Sequence, residues 1–481
     1  MTTTGRTKPD EGGATEADEA DPSGPAPYGT DPNGSDPNGP APYGVGLDEV
    51  RALDADDPLA TFRARFAPVP EGLIFLNSAS LGRLPTATAD ETDALVRGQW
   101  GDRLAQARTQ WLDLPQRVGD ELAATVLGAR PGEVAASDCT SVNLYKLGAA
   151  ALRARPGAVV IDDDNFPTDQ YVLAGLAEEY GRELRTVRTD PDLGPTPAQL
   201  RDTLGALRTG ASGGTGAALV SLSLVSHRSG ALRDIRAVQE AAHAAGALVL
   251  WDLSHAVGAV PLRLTEDGAD LAVGSTYKHL CGGPGAPALL YVREDLQARL
   301  TQPVQGWYGH REQLAMRHDF DPDPSIRRFL TGSPPVLSLA ALRPALRLLG
   351  EAGTERIRAK SLALTGLFQR LAADLLSPHG FRLAGPADPA ARGGHLTYAH
   401  PQARRLVPLL AERAGVLVDY GAPGRLRASP APLSTRFEDV YEAVHRIRHL
   451  LDEAPGDLSG EPSGGAPDFA PDRPLDEEES A

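Results

Sequence analysis

The sequence predicts an α/β protein whose mostly parallel sheet is covered by helices on both sides. A helix is predicted from Asp234, which suits an N-cap, to Gly246, because apolar residues recur on one face between them. Elements of this kind that alternate with strands favour a parallel sheet. Short apolar runs typical of buried strands begin at Ala158, Ala218, Ala247, Leu271 and Ala286.

Composition divides the 481 residues into five predicted regions. The segments 1–46 and 453–481 are acidic and poor in apolar residues, so they cannot offset the entropy of ordering, and we expect both to be disordered. Between them we predict an N-terminal segment at 47–90 that packs with the small domain. A large domain at 91–345 and a smaller α+β C-terminal domain at 346–452 complete the chain.

Helical patterns occur on either side of the strand-rich part. A strand-like run ends at Asn77, and residues 87–126 then show helical spacing. After Pro335 a Leu- and Ala-rich helical region is predicted to continue to Leu376, with a final helix from Phe437. The apolar markers of the first helical stretch are Trp100, Leu104, Trp111 and Leu114.

The formal net charge of −17 is concentrated in the two tails. Residues 1–46 hold eight acidic and two basic residues, and 453–481 hold nine and one, so the region between them is nearly neutral. This excludes a basic nucleic-acid or membrane-binding surface. Two cysteines, Cys139 and Cys281, exclude a disulfide framework. We expect a cytoplasmic protein that binds neither nucleic acid nor membrane and has no metal site.

Two neighbouring strand ends carry the residues with the clearest chemistry. Asp252 ends one apolar run, and Tyr277 and Lys278 follow the next. In an open α/β sheet the carboxyl ends of parallel strands face one ligand crevice. Pyridoxal 5′-phosphate requires such a pair, since a lysine can bind it as a Schiff base and a carboxylate can hold a proton on its pyridine nitrogen. A structural lysine and a solvated aspartate would explain the same stretch.

Two stretches upstream suit a phosphorylated aromatic cofactor. Thr140 and Ser141 begin a predicted helix, whose free N–H groups suit a phosphate, although taken alone the pair is more often an ordinary N-cap. Phe166 follows the strand that begins at Ala158, and its ring could lie flat on an aromatic cofactor, with Asp169 beside it. A loop phenylalanine that caps the core is the alternative.

Downstream, three side chains suit an anionic ligand. Trp307 could donate its indole N–H and Ser333 its hydroxyl, and Arg427 could bind a carboxylate through two hydrogen bonds. Neither Trp307 nor Ser333 is specific alone, and in an Arg-rich chain any single arginine is more often a surface residue.

The fixed order of six motifs resembles kynureninase, a pyridoxal-phosphate enzyme of fold type I in the class V aminotransferase branch. The resemblance covers about Leu73 to Leu451 and implies a seven-stranded-type sheet in a large cofactor-binding domain. The motifs are NFPTD, WDLSHAVGAVP, STYKHLCGGPG, GWYGH, RFLTGSPP and RASPAPL.

By position, the resemblance implies a role for each candidate residue at the centre of the site. Lys278 would be the Schiff-base lysine, and Tyr277 would contact the phosphate and donate a proton. Asp252 would pair with the pyridine nitrogen, and His255 would lie near the polar edge of the cofactor. Arg427 would bind the substrate carboxylate.

The resemblance also implies the surrounding contacts. Phe166 would stack on the ring, and Ser80 would lie near the substrate. Trp307 and Ser333 would reach the site from the partner subunit, which implies a homodimer. The other cofactor contacts would be Pro167, Thr168 and Asp169 in the phenylalanine loop, and Thr140, Ser141 and Ser223 on the phosphate side.

The implied reaction is hydrolytic cleavage of the Cβ–Cγ bond of L-kynurenine, to anthranilate and L-alanine. Two departures leave the aryl specificity open, so that 3-hydroxykynurenine or another modified kynurenine remains a candidate. Where the family usually reads GNSLG this chain has SASLG, with Ala79 in place of an amide. The segment GDRLAQARTQW after Trp100 does not match the aryl-pocket residues of the family.

Two other functions stay open at this point. A class V aminotransferase or another pyridoxal-phosphate lyase would use the same lysine, acid and arginine. A cysteine desulfurase is disfavoured, because it needs a reactive thiol in its C-terminal part and no cysteine follows Cys281. A non-catalytic scaffold of the same fold is the third reading.

Overall fold

The computed structural model describes residues 45–209 and 216–453. Apart from residues 45, 46 and 453, the two predicted disordered tails lie outside the described residues. The first described elements are α1 (Leu47–Ala55), β1 (Ile74–Phe75), α2 (Thr86–Ala94) and α3 (Leu114–Leu122).

The prediction of regular helix through 87–126 is wrong in the middle of that stretch. A π-helical segment at Leu95–Asp102 and a 3-10 segment at Leu104–Gln110 separate α2 from α3. Gly98 and Gly101 are weak helix formers, and Leu104 adopts a φ of 51°. Since the helical phase is lost, two predicted apolar markers are exposed, Trp100 by 57% and Leu104 by 65%.

A seven-stranded sheet forms the centre of the molecule, in the order β2-β8-β7-β6-β5-β3-β4. All strands run parallel except β8, which is antiparallel to β2 and β7. The predicted mostly parallel sheet is therefore confirmed. The strands are β2 (Val134–Ser137), β3 (Ala158–Asp162), β4 (Leu184–Val187), β5 (Ala217–Ser223), β6 (Leu248–Asp252), β7 (Leu271–Gly274) and β8 (Ala288–Val292).

The central strands are buried on both faces, which explains their continuous apolar runs. Val249 and Trp251 of β6 pack into one core cluster, whereas Leu248 and Leu250 pack into another, because successive side chains of a strand point to opposite faces. The helices of this part are α4 (Thr140–Ala154), α5 (Pro167–Glu179), α6 (Pro197–Thr209), α7 (Ile235–Ala244) and α8 (Glu294–Gln297).

The predicted cap of α7 is confirmed. The Asp234 carboxylate accepts a hydrogen bond from the backbone N–H of Ala237 at 3.0 Å, so it satisfies a donor that the helix leaves free. Gly246 follows the helix with a φ of 81°, a left-handed conformation that glycine adopts without strain.

The C-terminal part contains an antiparallel sheet in the order β12-β13-β10-β9. The helical region predicted from Pro335 to Leu376 consists of two helices, which are separated at Gly353 with a φ of 78°. These elements are α9 (Val336–Ala352), α10 (Thr354–Leu375), β9 (Arg382–Leu383), β10 (Leu396–Ala399), α11 (Ala403–Leu409), β11 (Val416–Leu417), β12 (Asp419–Gly421), β13 (Arg425–Ala428) and α12 (Phe437–Glu453).

The N-terminal segment contacts these C-terminal elements. Strand β1 pairs in parallel with β11, and the Asp54 carboxylate accepts hydrogen bonds from the first backbone N–H groups of α12 at 2.7 and 2.9 Å. The domain boundaries themselves remain predictions. Within 45–209 and 216–453, no helix combines the length and apolar character needed to cross a membrane.

Candidate active site

A cavity of about 170 Å³ lies at the carboxyl edge of the seven-stranded sheet, where β6 and β7 end side by side. Asp252 is the last residue of β6, and the loop after β7 carries Tyr277 and Lys278. The residues that line the cavity are Cys139, Thr140, Ser141, Phe166, Thr168, Asp169, Asp252, Ser254, His255, Ser275, Tyr277, Lys278, Ala286 and Ala288.

Lys278 has an amine that is readily deprotonated. Burial lowers its pKa to about 8, although the nearby Asp252 carboxylate opposes part of this effect. Its Nζ lies 2.8 Å from Nε2 of His255. Burial also lowers the pKa of His255 well below its usual value, so the imidazole is neutral and its Nε2 accepts from the lysine.

Two acids face the same cavity and affect each other. Asp252 accepts a hydrogen bond from the backbone N–H of Ser254 at 2.8 Å. Asp169 lies in the first turn of α5, and burial together with the charge of Asp252 raises its pKa well above the usual value. Two close carboxylates cannot both ionise at low cost, so Asp169 retains a proton.

The N-terminus of α4 provides an anion-binding end to the cavity. Cys139 is the N-cap, and its side chain makes no capping hydrogen bond. Thr140 and Ser141 are the first two residues of α4, and both line the cavity. The free backbone N–H groups of the first helical turn and two hydroxyls are therefore available at this end of the cavity. A helix of this length also presents its positive dipole end there.

The loop that carries Phe166 is anchored to β5 through Asn165. The side-chain amide of Asn165 donates to the carbonyl of Ser221 at 2.8 Å, and its oxygen accepts from the backbone N–H of Ser223 at 2.9 Å. Phe166 remains 41% exposed, and its ring meets His227 edge-on at 5.3 Å. Pro167 begins α5 and sets the direction of that helix.

Arg427 is held beside the N-terminal segment by neighbours that are distant in sequence. Its guanidinium forms an ion pair with Asp419 and donates to the carbonyl of His227 at 2.7 Å. Ser80 donates to the same Asp419 carboxylate at 2.7 Å. The Nε of Arg427 is buried and has no partner among the described residues. These contacts fix the position of the Arg427 guanidinium, and its Nε–H remains available to donate to a ligand.

Six predicted residues do not line this cavity. Ser80, Pro167 and Arg427 are described above, and the other three are Ser223, Trp307 and Ser333. Ser223 is buried in its bonds to Asn165, and Ser333 is exposed. Trp307 packs edge-on against Tyr308 at 4.5 Å, with the Arg108 guanidinium 5.3 Å from its ring centre. Their predicted cofactor contacts remain predictions.

Several cavity residues escaped the sequence analysis. Ser254 follows Asp252 by two positions and Ser275 precedes Tyr277 by two, so their closeness in the chain was an available signal. The contribution of Asp419 had no such signal, because it depends on pairing between β12 and β13. Cys139, Ala286 and Ala288 also line the cavity without carrying a distinctive pattern.

Comparisons with known proteins agree on one family and one fold. The family model described as the kynureninase C-terminal domain matches residues 357–447. A kynureninase of Pseudomonas fluorescens is 38% identical over 411 residues, covering 83% of this chain and 94% of that protein.

Solved structures show the fold at lower identity. The cysteine desulfurase CsdA of Escherichia coli matches with a TM-score of 0.69 and 20% identity, over 82% of this chain and 98% of that one. A variant of C-DES with glycine covalently linked to its PLP cofactor matches with a TM-score of 0.70 and 18% identity, over 80% and 98%. The fold is that of fold type I, with the predicted large sheet and smaller C-terminal sheet.

Proposed function

The chain belongs to the kynureninase family, and on this premise we propose that it hydrolyses the Cβ–Cγ bond of L-kynurenine to give anthranilate and L-alanine. The observation that carries the proposal is the cavity in which Lys278, Asp252 and the N-terminus of α4 meet. An amine, an acid and an anion-binding helix end around one cavity suit a phosphorylated pyridine aldehyde.

Pyridoxal 5′-phosphate is the cofactor that these residues fit. The N–H groups of α4 with Thr140 and Ser141 suit its phosphate, and Asp252 suits its pyridine nitrogen. Buried polar atoms of residues that line the cavity, Asp169 Oδ2 and Ser275 Oγ, have no partner among the described residues. When bound, the cofactor supplies a ring that accepts electrons from the α-carbon of the substrate.

Lys278 would act as the amine that holds the cofactor and as the base that takes the α-proton. With a pKa of about 8, roughly a tenth of the amine is neutral at pH 7. The Nε2 atom of His255, 2.8 Å away, is placed to share that proton. Burial raises the pKa of Tyr277, so its phenol keeps a proton that it can give to the β-carbon of the product.

Substrate orientation would come from Arg427. A guanidinium binds a carboxylate through charge-assisted hydrogen bonds, and the ion pair with Asp419 limits the rotamers that Arg427 adopts. Ser80 bonds to the same Asp419 and so links the N-terminal segment to this arginine. The α-carbon is thereby directed to the Lys278 amine, and water adds to the γ-carbonyl.

The enzyme is further proposed to be a homodimer, in which Trp307 and Ser333 of the partner subunit complete each site. Neither residue lines the cavity of its own subunit, which supports this arrangement. Exposed apolar side chains on the described surface also suit a protein partner, among them Leu81, Leu84, Trp100, Leu104 and Leu337. A cytoplasmic location is part of the same proposal and is supported by the two free cysteines.

The desulfurase reaction of the structural relatives is disfavoured by the thiol chemistry. Burial raises the pKa of Cys281 to about 12, so that thiol is not a nucleophile at neutral pH. An aminotransferase reaction would need the same lysine, acid and arginine, and it is separated from hydrolysis by the products.

The decisive test mixes the purified protein, loaded with pyridoxal 5′-phosphate, with L-kynurenine and follows anthranilate by fluorescence. We expect anthranilate and alanine in equal amounts, and 3-hydroxykynurenine is assayed beside it to rank the two substrates. Amino transfer to a keto acid without anthranilate would refute the proposal. Lys278→Ala is the matched control and should lose both turnover and the absorbance band near the visible edge.

The dimer is tested by mixing two inactive variants. Lys278→Ala lacks the amine, and Trp307→Ala lacks the proposed cross-subunit contact. Mixed dimers contain one site with neither defect, so activity should return on mixing. The shared site would be contradicted if the mixture of the two variants stayed inactive and the wild-type protein sedimented as a monomer.

A further inference from the structure

Four histidines cluster around the amine of Lys278. The ring centre of His255 lies 5.6 Å from that of His395, and 6.5 Å from those of His279 and His227. Burial lowers the pKa of all four, to about 3 for His227 and His279. The four rings are therefore neutral, and each carries one N–H donor and one acceptor nitrogen.

Most of these nitrogens lack a protein partner. Among residues 45–209 and 216–453, none bonds to either ring nitrogen of His395, to Nδ1 of His255 or His227, or to Nε2 of His279. His395 is fully buried, so bulk solvent does not reach it. Buried polar atoms in native proteins are nearly always paired, with ordered water serving where protein groups do not. Five unpaired atoms in one cluster indicate a shared small polar ligand.

The cluster lies between two cavities. His255 and Lys278 line the candidate active site, whereas His279 lines a second cavity of about 30 Å³. This volume exceeds the roughly 10–15 Å³ that one water needs. Ser434 also lines the second cavity, and its buried hydroxyl has no partner among the described residues. Most of the other lining is apolar, so the unpaired polar atoms of His279 and Ser434 are the groups in this cavity to which water can bind.

We propose that His395, His279 and His255 hold ordered water beside Lys278, and that this hydrated cluster relays the lysine proton. An N–H proton of the Lys278 ammonium moves to Nε2 of His255 as Nδ1 of the same ring releases its proton to a held water, and that water passes one of its own protons to solvent in the active-site cavity that His255 lines. The reverse transfer restores the ammonium. This uses the Nδ1–H tautomer of His255, which the acceptor role of Nε2 toward the lysine requires. The proton-transfer role rests on the proposed function, whereas the water site does not.

The first test is a high-resolution crystal structure of the holoenzyme. We expect waters within hydrogen-bonding distance of both nitrogens of His395 and of Nε2 of His279. A dry cluster would overturn the proposal. This readout needs no turnover, so it judges the water site even if the wild-type enzyme makes no anthranilate.

The second test is His395→Phe, a ring of similar shape without nitrogens. If the His395 nitrogens bind ordered water, the variant should unfold at a lower urea concentration than the wild type. The waters would lose their hydrogen bonds to His395, and the other groups that bind those waters would be left less well paired. If the nitrogens are simply unpaired, it should be as stable as the wild type or more stable, which would overturn the water site. His395→Asn keeps a donor and an acceptor, and it should recover part of the loss.

The third test measures the solvent deuterium isotope effect on turnover with kynurenine. In His395→Phe, proton transfer should limit the turnover rate more strongly than in the wild type. We therefore expect turnover about 10- to 100-fold lower and a larger solvent deuterium isotope effect. His400→Phe is the matched control, since the nitrogens of His400 already bond to His379 and Gln402. It should leave the isotope effect unchanged. An unaltered isotope effect in His395→Phe would overturn the proton-transfer role.

Discussion

Lys278→Met should stabilise the cofactor-free protein at pH 7 while abolishing turnover. Methionine retains the length of the lysine side chain and removes a charge that the cavity solvates poorly. The lysine is needed for the proposed chemistry, and the folded protein carries its buried ammonium at a cost in free energy of unfolding.

The size of this effect follows from the pKa. Burial lowers it from 10.5 to about 8, and at about 1.4 kcal/mol per pKa unit the fall corresponds to about 3 kcal/mol. Since methionine also removes the hydrogen bond to His255, which contributes about 1 kcal/mol, the net gain is about 2 kcal/mol. Part of the lysine surface remains open to the cavity, so this value is an upper bound.

The gain should depend on pH in one direction. The folded-state pKa is the lower one, so the lysine destabilises the folded protein fully below about pH 8. As the pH rises above about 8 the folded protein loses the lysine proton while the unfolded chain keeps it, so the difference between wild type and variant shrinks and has largely gone near pH 10.5.

The assay is urea unfolding of both cofactor-free proteins at several values between pH 7 and 10.5. Lys360→Met is the contrasting control, because Lys360 Nζ lies 2.6 Å from the buried Asp57 carboxylate. Removal of that cation should cost about 3–5 kcal/mol. A Lys278→Met protein that is less stable than wild type at pH 7, or a gain that does not shrink with rising pH, would refute the reasoning.

Three further substitutions test separate parts of the site. Asp252→Asn should reduce turnover on the order of 100-fold, because the cofactor nitrogen loses its charged partner; an unchanged kcat would remove Asp252 from the mechanism. Arg427→Lys should raise KM roughly 30-fold with a smaller change in kcat, since about 2 kcal/mol of charge-assisted hydrogen bonding to the substrate is lost; an unchanged KM for kynurenine would contradict its role. Gly82→Ala should lower the thermal midpoint and cofactor affinity, because the added methyl group would overlap the Lys278 carbonyl, while Gly98→Ala, with open space around it, should lower neither.

Local patterns predicted the elements that present the lysine and the acid. The apolar runs that end at Asp252 and precede Lys278 are buried parallel strands, and their period and length indicate such strands without reference to the rest of the chain. The Asp234 cap and the helix that begins at Thr140 are equally local, since they depend on residues within a single turn. Resemblance to a family added roles that these patterns do not contain.

Local patterns failed where the backbone departed from a regular helix. Between Leu95 and Gln110 the apolar spacing continued while the chain changed to π and 3-10 turns. Hydrophobic spacing predicts which side chains share a face only if the helical phase is kept. Trp100 and Leu104 are exposed for this reason.

The sequence by itself predicted five of the seven strands of the large sheet, and it predicted that Asp252 and Lys278 follow neighbouring strands at the carboxyl edge. Only the tertiary structure decided that Asp419 lies between Ser80 and Arg427, because Ser80 is 339 residues away from it in the chain. The same holds for His395, which immediately precedes β10 and lies beside His255. Contacts of this kind depend on how strands from distant segments of the chain pair. The residues near each contact form no local sequence pattern from which that pairing could be predicted.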